Sequence, residues 1–114
     1  RIRYADHIPI CFEVTSVPYH LIASYTQEEI TQSLYEVLQK NPQQKLGRAI
    51  QTISATTASD KLAQYLEIEK HDALLKVSQI SYFQDGTHFE WVNSHYVGHR
   101  FEFYLEKKEK ESYL

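Results

Sequence analysis

The sequence predicts an α+β domain built on an antiparallel sheet, and three observations predict it. A capping box opens a run of apolar residues at helical spacing. An Asp-Gly pair separates two β-rich runs. The remaining segments alternate apolar and polar residues or carry one shorter helical pattern, so strands and helices must share one core.

The elements follow in chain order. Ile8 to Val17 places Ile8, Ile10, Phe12 and Val14 on one parity, which reads as a strand. Pro18 ends it, since proline cannot donate to a ladder. Thr26-Gln-Glu-Glu29 lets the threonine hydroxyl and the glutamate carboxylate satisfy each other's backbone N–H groups. Ile30, Leu34, Val37 and Leu38 then fall on one face, so a helix is expected over 27–40, stopped by Asn41-Pro42.

Leu46 to Thr56 is β-branched and reads as a strand. Thr57 to Asp60 offers caps for a short helix through Leu62, Ala63 and Leu66. Ala73 to Gln84 and Thr87 to Val97 form a hairpin around Asp85-Gly86, where a two-residue turn requires positive φ at both positions. Phe101 to Glu106 alternates and is expected to add a last strand, followed by a charged tail, Lys107 to Leu114, that frays. The expected order is β-α-β-α-β-β-β, in one domain over 1–114.

The bulk numbers restrict function. A chain of 114 residues buries roughly two-thirds of its unfolded surface, enough for one core. With 42% apolar and 24% charged residues and only three Gly and three Pro, it has the composition of a folded domain. The net charge of −3 argues against a free-standing nucleic-acid binder, whose affinity rests on neutralising phosphates. A local basic patch is still open if Arg1, Arg3, Arg48 and Arg100 gather in space. The single cysteine, Cys11, allows no intrachain disulfide and suits the cytoplasm. No apolar run is long enough for a membrane span, and no signal-peptide pattern opens the chain. It does not begin with Met and is read as part of a longer protein.

The chemistry-bearing residues favour binding over catalysis. His95 and His99 have a helical metal-ligand spacing, but on a strand that spacing is about 13 Å, so no metal is expected. Cys11 lies between apolar neighbours, where an inert thiol is the default. Glu13 and Glu90 would suit acid–base work only if the fold brought them together, and no nucleophile-elbow, P-loop or dinucleotide motif is present. Arg1 and Arg3, at i and i+2 on an extended chain, project to one side and offer two planar forks to an anion. Otherwise they are two solvated arginines. Tyr35, Tyr82, Tyr96 and Trp91 are either core and rim or the walls of a sugar-sized pocket.

Taken together, these segments resemble the UTRA domain, the effector-binding half of GntR regulators of the HutC type. RIRYADHIPICFEVTSVP is similar to that family's opening Arg-x-Arg, its turn and its glutamate-bearing strand. SLYEVL, AIQTISATTASDKLAQYLEI and ALLKVSQISYFQDGTHFEWVNSHYVGHRFEF are similar to its later helix, strand and hairpin motifs in the same order. The resemblance implies a chorismate-lyase-like antiparallel sheet with helices packed on one side, no enzymatic activity and no cofactor. It implies a small-molecule effector, usually a sugar phosphate, held by Arg1 and Arg3 at the anion, by Glu13, Ser33 and Tyr35, and by Glu90 and Tyr96 of the hairpin. Ser94 and Tyr82 are weaker candidates. It further implies a homodimer, joined by an edge strand or an apolar sheet face that includes Phe101 and Phe103. Operator DNA would be bound through an N-terminal winged-helix domain outside this chain. Two other readings are carried alongside: a lyase using Arg100 and Glu90, and a dimerisation module without ligand. His7, Gln79 and His99 depart from the family's Gly, basic and Asp residues.

Overall fold

A computed structural model of the protein describes residues 1–42 and 44–108. One five-stranded antiparallel sheet runs in the order β1-β2-β5-β4-β3, with β1 Ile2–Ala5, β2 Ile8–Ser16, β3 Leu46–Thr57, β4 Ala73–Phe83 and β5 His88–Val97. Among the described residues three short α-helices accompany it, α1 Gln27–Gln32, α2 Leu34–Leu38 and α3 Asp60–Leu66, with a single 3-10 turn at Tyr19–Leu21. The antiparallel α+β class is as expected.

The helices divide between the two faces of the sheet rather than sharing one. Leu38 of α2 packs with Phe83 and Phe89. Leu66 and Ala63 of α3 pack with Leu74 and Val97, against Phe12. Phe12 and Glu13 are successive residues of β2, so their side chains leave opposite faces. The α3 face and the Glu13 face are therefore different, and the sheet is the wall between two small cores.

Several expectations are corrected. The single helix over 27–40 is two helices, broken at Ser33, whose φ of −159° and ψ of 90° are extended. The Ser33 hydroxyl accepts from the Glu36 backbone N–H at 3.4 Å and so caps α2. Ser33-x-x-Glu36 repeats the Thr26-x-x-Glu29 pattern, a second start signal inside what periodicity alone treats as one helix. The first box forms as expected, with Thr26 and Glu29 bonded to each other's backbone N–H groups.

Strand β1 is an additional element, joined to β2 by a two-residue turn at Asp6-His7, where φ is 49° and 65°. The turn with two positive φ values is thus here. At the β4–β5 hairpin only Gly86 is left-handed, with φ 90°. Gly86 N–H donates to Phe83 O at 3.0 Å and Phe83 N–H to Thr87 O at 2.8 Å, which makes a three-residue loop over Gln84–Gly86.

Phe101 to Glu106 joins no strand. Gly98 donates to Ala73 O at 2.8 Å and Arg100 N–H to Val97 O at 3.0 Å, a turn that carries the chain off the sheet. Phe101 then stacks on Tyr96 with centroids 3.9 Å apart, which accounts for one apolar position of that alternation. From residue 109 on, the expected tail lies outside the described residues.

Candidate functional site

The Glu13 face carries an open cleft of about 1050 Å³ between the sheet and the α1–α2 segment. Its floor is set by alternation on three adjacent strands. Glu13 of β2 lies opposite Ser94 of β5, which lies opposite Val77 of β4. Glu90, Val92, Ser94 and Tyr96 occupy every second position of β5 and all line the cleft. The roof comes from Ile30, Ser33, Leu34 and Tyr35.

The sequence-based candidates are distributed as follows. Arg1, Arg3, Glu13, Ser33, Tyr35, Glu90, Ser94 and Tyr96 line this one cleft. Tyr82 does not; it borders a separate hollow of about 150 Å³, with the Arg48 guanidinium 4.8 Å above its ring. Trp91, one residue from Glu90, is half exposed on the other face. Arg1 and Arg3 come together, but Arg48 and Arg100 do not join them. Arg100 donates to Pro9 O at 2.9 Å, Leu66 O at 3.0 Å and Glu67 O at 3.3 Å, tying the end of α3 to β2. An acid–base pair of Arg100 with Glu90 is therefore not formed.

At one end of the cleft Arg3 grips Glu13, Nε to Oε2 at 3.3 Å and Nη2 to Oε1 at 3.2 Å. This hydrogen-bonded carboxylate raises the Arg3 pKa further above its ordinary value. Ser94 Oγ donates to Glu13 Oε2 at 3.3 Å. Cys11, fully buried beneath, has its thiol pushed up by burial and by Glu13, so it is protonated and unreactive at neutral pH. Burial likewise raises Tyr96.

At the other end sits Glu90, only 3% exposed. Its Oε1 accepts from Tyr35 Oη at 2.9 Å and from Ser81 Oγ at 2.9 Å. The Tyr35 phenol is pushed up to about 12 by burial and by this carboxylate. Behind Ser81 the chain of bonds continues. Gln79 Nε2 donates to Ser81 Oγ at 2.9 Å, and Gln51 Nε2 donates to Gln79 Oε1 at 2.8 Å. Gln51 and Ser81 were not singled out from sequence. Gln51 pairs directly across from Gln79, a register relation that no local pattern encodes.

The arrangement can bind an elongated polar molecule, with arginines at one end, hydroxyls along the floor and a buried carboxylate at the other. Among the described residues no group of three or more His, Cys, Asp or Glu side chains is placed to hold a metal ion. No helix among them is long and apolar enough to cross a membrane.

Comparisons with known proteins agree with this geometry. The UTRA domain family model matches residues 1–102. The HTH-type transcriptional repressor NagR of Bacillus subtilis is 29% identical over 103 residues, covering 90% of this chain and 42% of that protein. The chain thus spans less than half the length of this relative. Among solved structures, a GntR-family transcriptional regulator from Enterococcus faecalis is 55% identical, with a TM-score of 0.88 over 93% of this chain and 76% of that one. A GntR-family regulator from Bacillus cereus is 25% identical, with a TM-score of 0.81 over 94% of this chain and 75% of that one.

Proposed function

Because the chain belongs to the UTRA domain family, the effector-binding domain of GntR-type transcription regulators, we propose that its cleft senses a small anionic metabolite, most simply a sugar phosphate. The observation that carries this reading is that Arg1 and Arg3 line one cleft together with the carboxylates of Glu13 and Glu90 and the hydroxyls of Ser33, Tyr35, Ser94 and Tyr96. Two guanidiniums suit a phosphate because each presents a planar fork of donors. Ser33, Ser94 and Tyr35 suit the hydroxyls of a sugar, and Tyr96 offers a ring for its apolar face. The reading places the chain in a cytoplasmic regulator of the HutC type. Its effector would change operator binding by an N-terminal domain.

Such regulators act as dimers on two-fold operators, and we assign the dimer contact to β3. It is an edge strand of 12 residues, nearly all exposed, with Ile50 and Ile53 uncovered. Phe103 is also exposed, but it lies outside the sheet.

A thermal-shift panel of sugar phosphates and small organic acids tests the sensor reading. A ligand at 100 times its Kd stabilises the folded state by about 2.7 kcal/mol, a shift of several degrees in Tm for a domain of this size. The expected result is a shift with a phosphorylated sugar that Arg3→Ala abolishes. An unchanged shift in that variant rejects the assignment of the anion to this end of the cleft.

A further inference from the structure

The sheet has an outer face, opposite the cleft, and helix α3 covers only one end of it. Ala63 and Leu66 of α3 pack with Leu74 at the start of β4 and Val97 at the end of β5. Trp91 stands toward the other end of β5 and is 50% exposed. Strand register sets it in a row. Trp91 lies opposite Ile80 of β4, which lies opposite Ile50 of β3. Ile80 is 36% and Ile50 45% exposed. Three large apolar side chains thus form an uncovered line across three strands, about 10 Å long at the spacing of neighbouring strands. Apolar side chains exposed as a group mark a contact surface, whereas single ones scattered over a domain do not.

The charges of the strands divide by face. Arg3, Glu13 and Glu90 line the cleft. Arg48 and Lys76 are on the outer face. The Arg48 guanidinium lies 4.8 Å above the ring of Tyr82, which is two residues on from Ile80 along β4. Lys76 stands four residues from Ile80 in the other direction. One cation therefore flanks each side of the apolar row. Among the described residues neither is ion-paired with a carboxylate. In a chain of net charge −3, the strands present only cations on this side.

A second copy does not complement such a surface. Face to face, each copy's strands would offer arginine and lysine to the other's and no carboxylate. Pairing along the β3 edge joins backbone groups and leaves the row open. An α-helix fits it better. Its side chains at i, i+4 and i+7 lie on one face over about 10 Å, the length of the row, and the residues flanking that stripe reach out on both sides of it.

We propose that the outer face is a docking surface for an amphipathic helix of a partner protein, its apolar stripe laid along Trp91, Ile80 and Ile50 and its flanking carboxylates paired with Arg48 and Lys76. Trp91 is the anchor, because a large aromatic ring buries the most surface on docking. The two cations set the orientation of the helix and select against basic partners. None of these side chains lines the cleft, so the surface is distinct from the effector site.

Trp91 is the only tryptophan of the chain, and its fluorescence reads this surface directly. The probe is a synthetic helical peptide of about five turns, without tryptophan, with leucine along one stripe and glutamate on both sides of it. Its twin carries lysine in place of glutamate. Titrated into the present chain at low salt, the glutamate peptide should shift Trp91 emission to the blue and bind about tenfold or more tighter than its twin. Arg48→Glu, at an exposed position, should reduce that preference, and adding Lys76→Glu should reverse it. Ile80→Asp keeps both cations and the tryptophan and should abolish the shift, with circular dichroism confirming that each variant is folded. Absence of a blue shift with the glutamate peptide, equal binding of the twins, or a preference unchanged by Arg48→Glu overturns the proposal. A blue shift on concentrating the chain alone assigns the row to a second copy and overturns it as well.

Discussion

At the scale of single residues, the structure holds two side chains away from their ordinary behaviour. His7 is a bulky residue in the left-handed region, at φ 65° in the β1–β2 turn. That conformation brings its Cβ against the backbone, at about 1 kcal/mol or more. Glycine avoids the clash but gives up more entropy on folding. His7→Gly is therefore expected to stabilise the domain by about 0.5–1 kcal/mol, read as a higher urea midpoint with an unchanged slope. Tyr35 is the second case. Its pKa is raised to about 12 by burial and by Glu90, so its protonated form is favoured in the folded state. The stability this contributes is fully present below the ordinary tyrosine value near 10 and is lost as pH rises toward 12. Phenolate absorbance should show a component near pH 12, and Tyr35→Phe should remove it while the raised titration of Tyr96 stays. Much of this scale was legible. The i, i+2 spacing of Arg1 and Arg3 foretold a common side, and the glutamate-bearing strand and hairpin supplied Glu13 and Glu90. Ser81 and Gln51 were not legible. A serine and a glutamine on β-rich strands look like solvated positions until strand pairing sets Gln51 against Gln79.

At the scale of elements, short helices depend on their ends. Helix α1 has no buried residue, so its capping box carries an unusual share of its stability. Thr26→Ala removes the hydroxyl that accepts from Glu29 N–H at 3.2 Å, and should cost about 1 kcal/mol. A loss below about 0.3 kcal/mol in equilibrium unfolding would show that α1 frays independently of the sheet. Arg100 fastens three carbonyls on two elements. Lysine has a single nitrogen and no fork, so Arg100→Lys should destabilise by about 1–3 kcal/mol although the charge is kept. Ligand binding by the folded variant should be unchanged, because Arg100 is not a cleft residue. The break at Ser33 shows how element boundaries escape a periodicity argument. Ile30, Leu34, Val37 and Leu38 keep helical spacing across the break, because both helices turn an apolar side inward. Only the second Ser-x-x-Glu signal records the interruption. Turn chemistry misled in a similar way. Asp85-Gly86 carries the preferred residues for a two-residue turn, yet Phe83 and Thr87 pair through a longer loop. Asp6-His7 adopts the tight turn without its preferred glycine.

At the scale of the whole molecule, the chain is a flat body, 44 × 44 × 23 Å, with one long strand at its margin. Four of its five strands, β2 to β5, follow from alternation and hairpin signals, and β1 does not. The order in which strands assemble does not, because β2 finds its neighbour β5 across the intervening helices and hairpin partner. The segment 101–106 has strand-like alternation but pairs with no strand, so its pattern stayed irregular. If β3 joins two copies, light scattering should give twice the chain mass of 13.4 kDa. Ile50→Lys combined with Ile53→Lys should give that mass once, since charges on an edge oppose strand pairing. A dimer that survives both changes would move the contact elsewhere. The path of the backbone gives this experiment a second readout. The chain leaves β2, forms the α1–α2 roof over the cleft and runs directly into β3, so roof and margin are consecutive lengths of one thread. If occupancy under the roof and pairing at the margin are coupled, a grip on the margin alters the affinity for what lies under the roof by the same factor that occupancy alters the grip. If the cleft takes a metabolite and β3 a second subunit, the molecule works less like a lock that opens than like a balance beam, on which the two are weighed against each other.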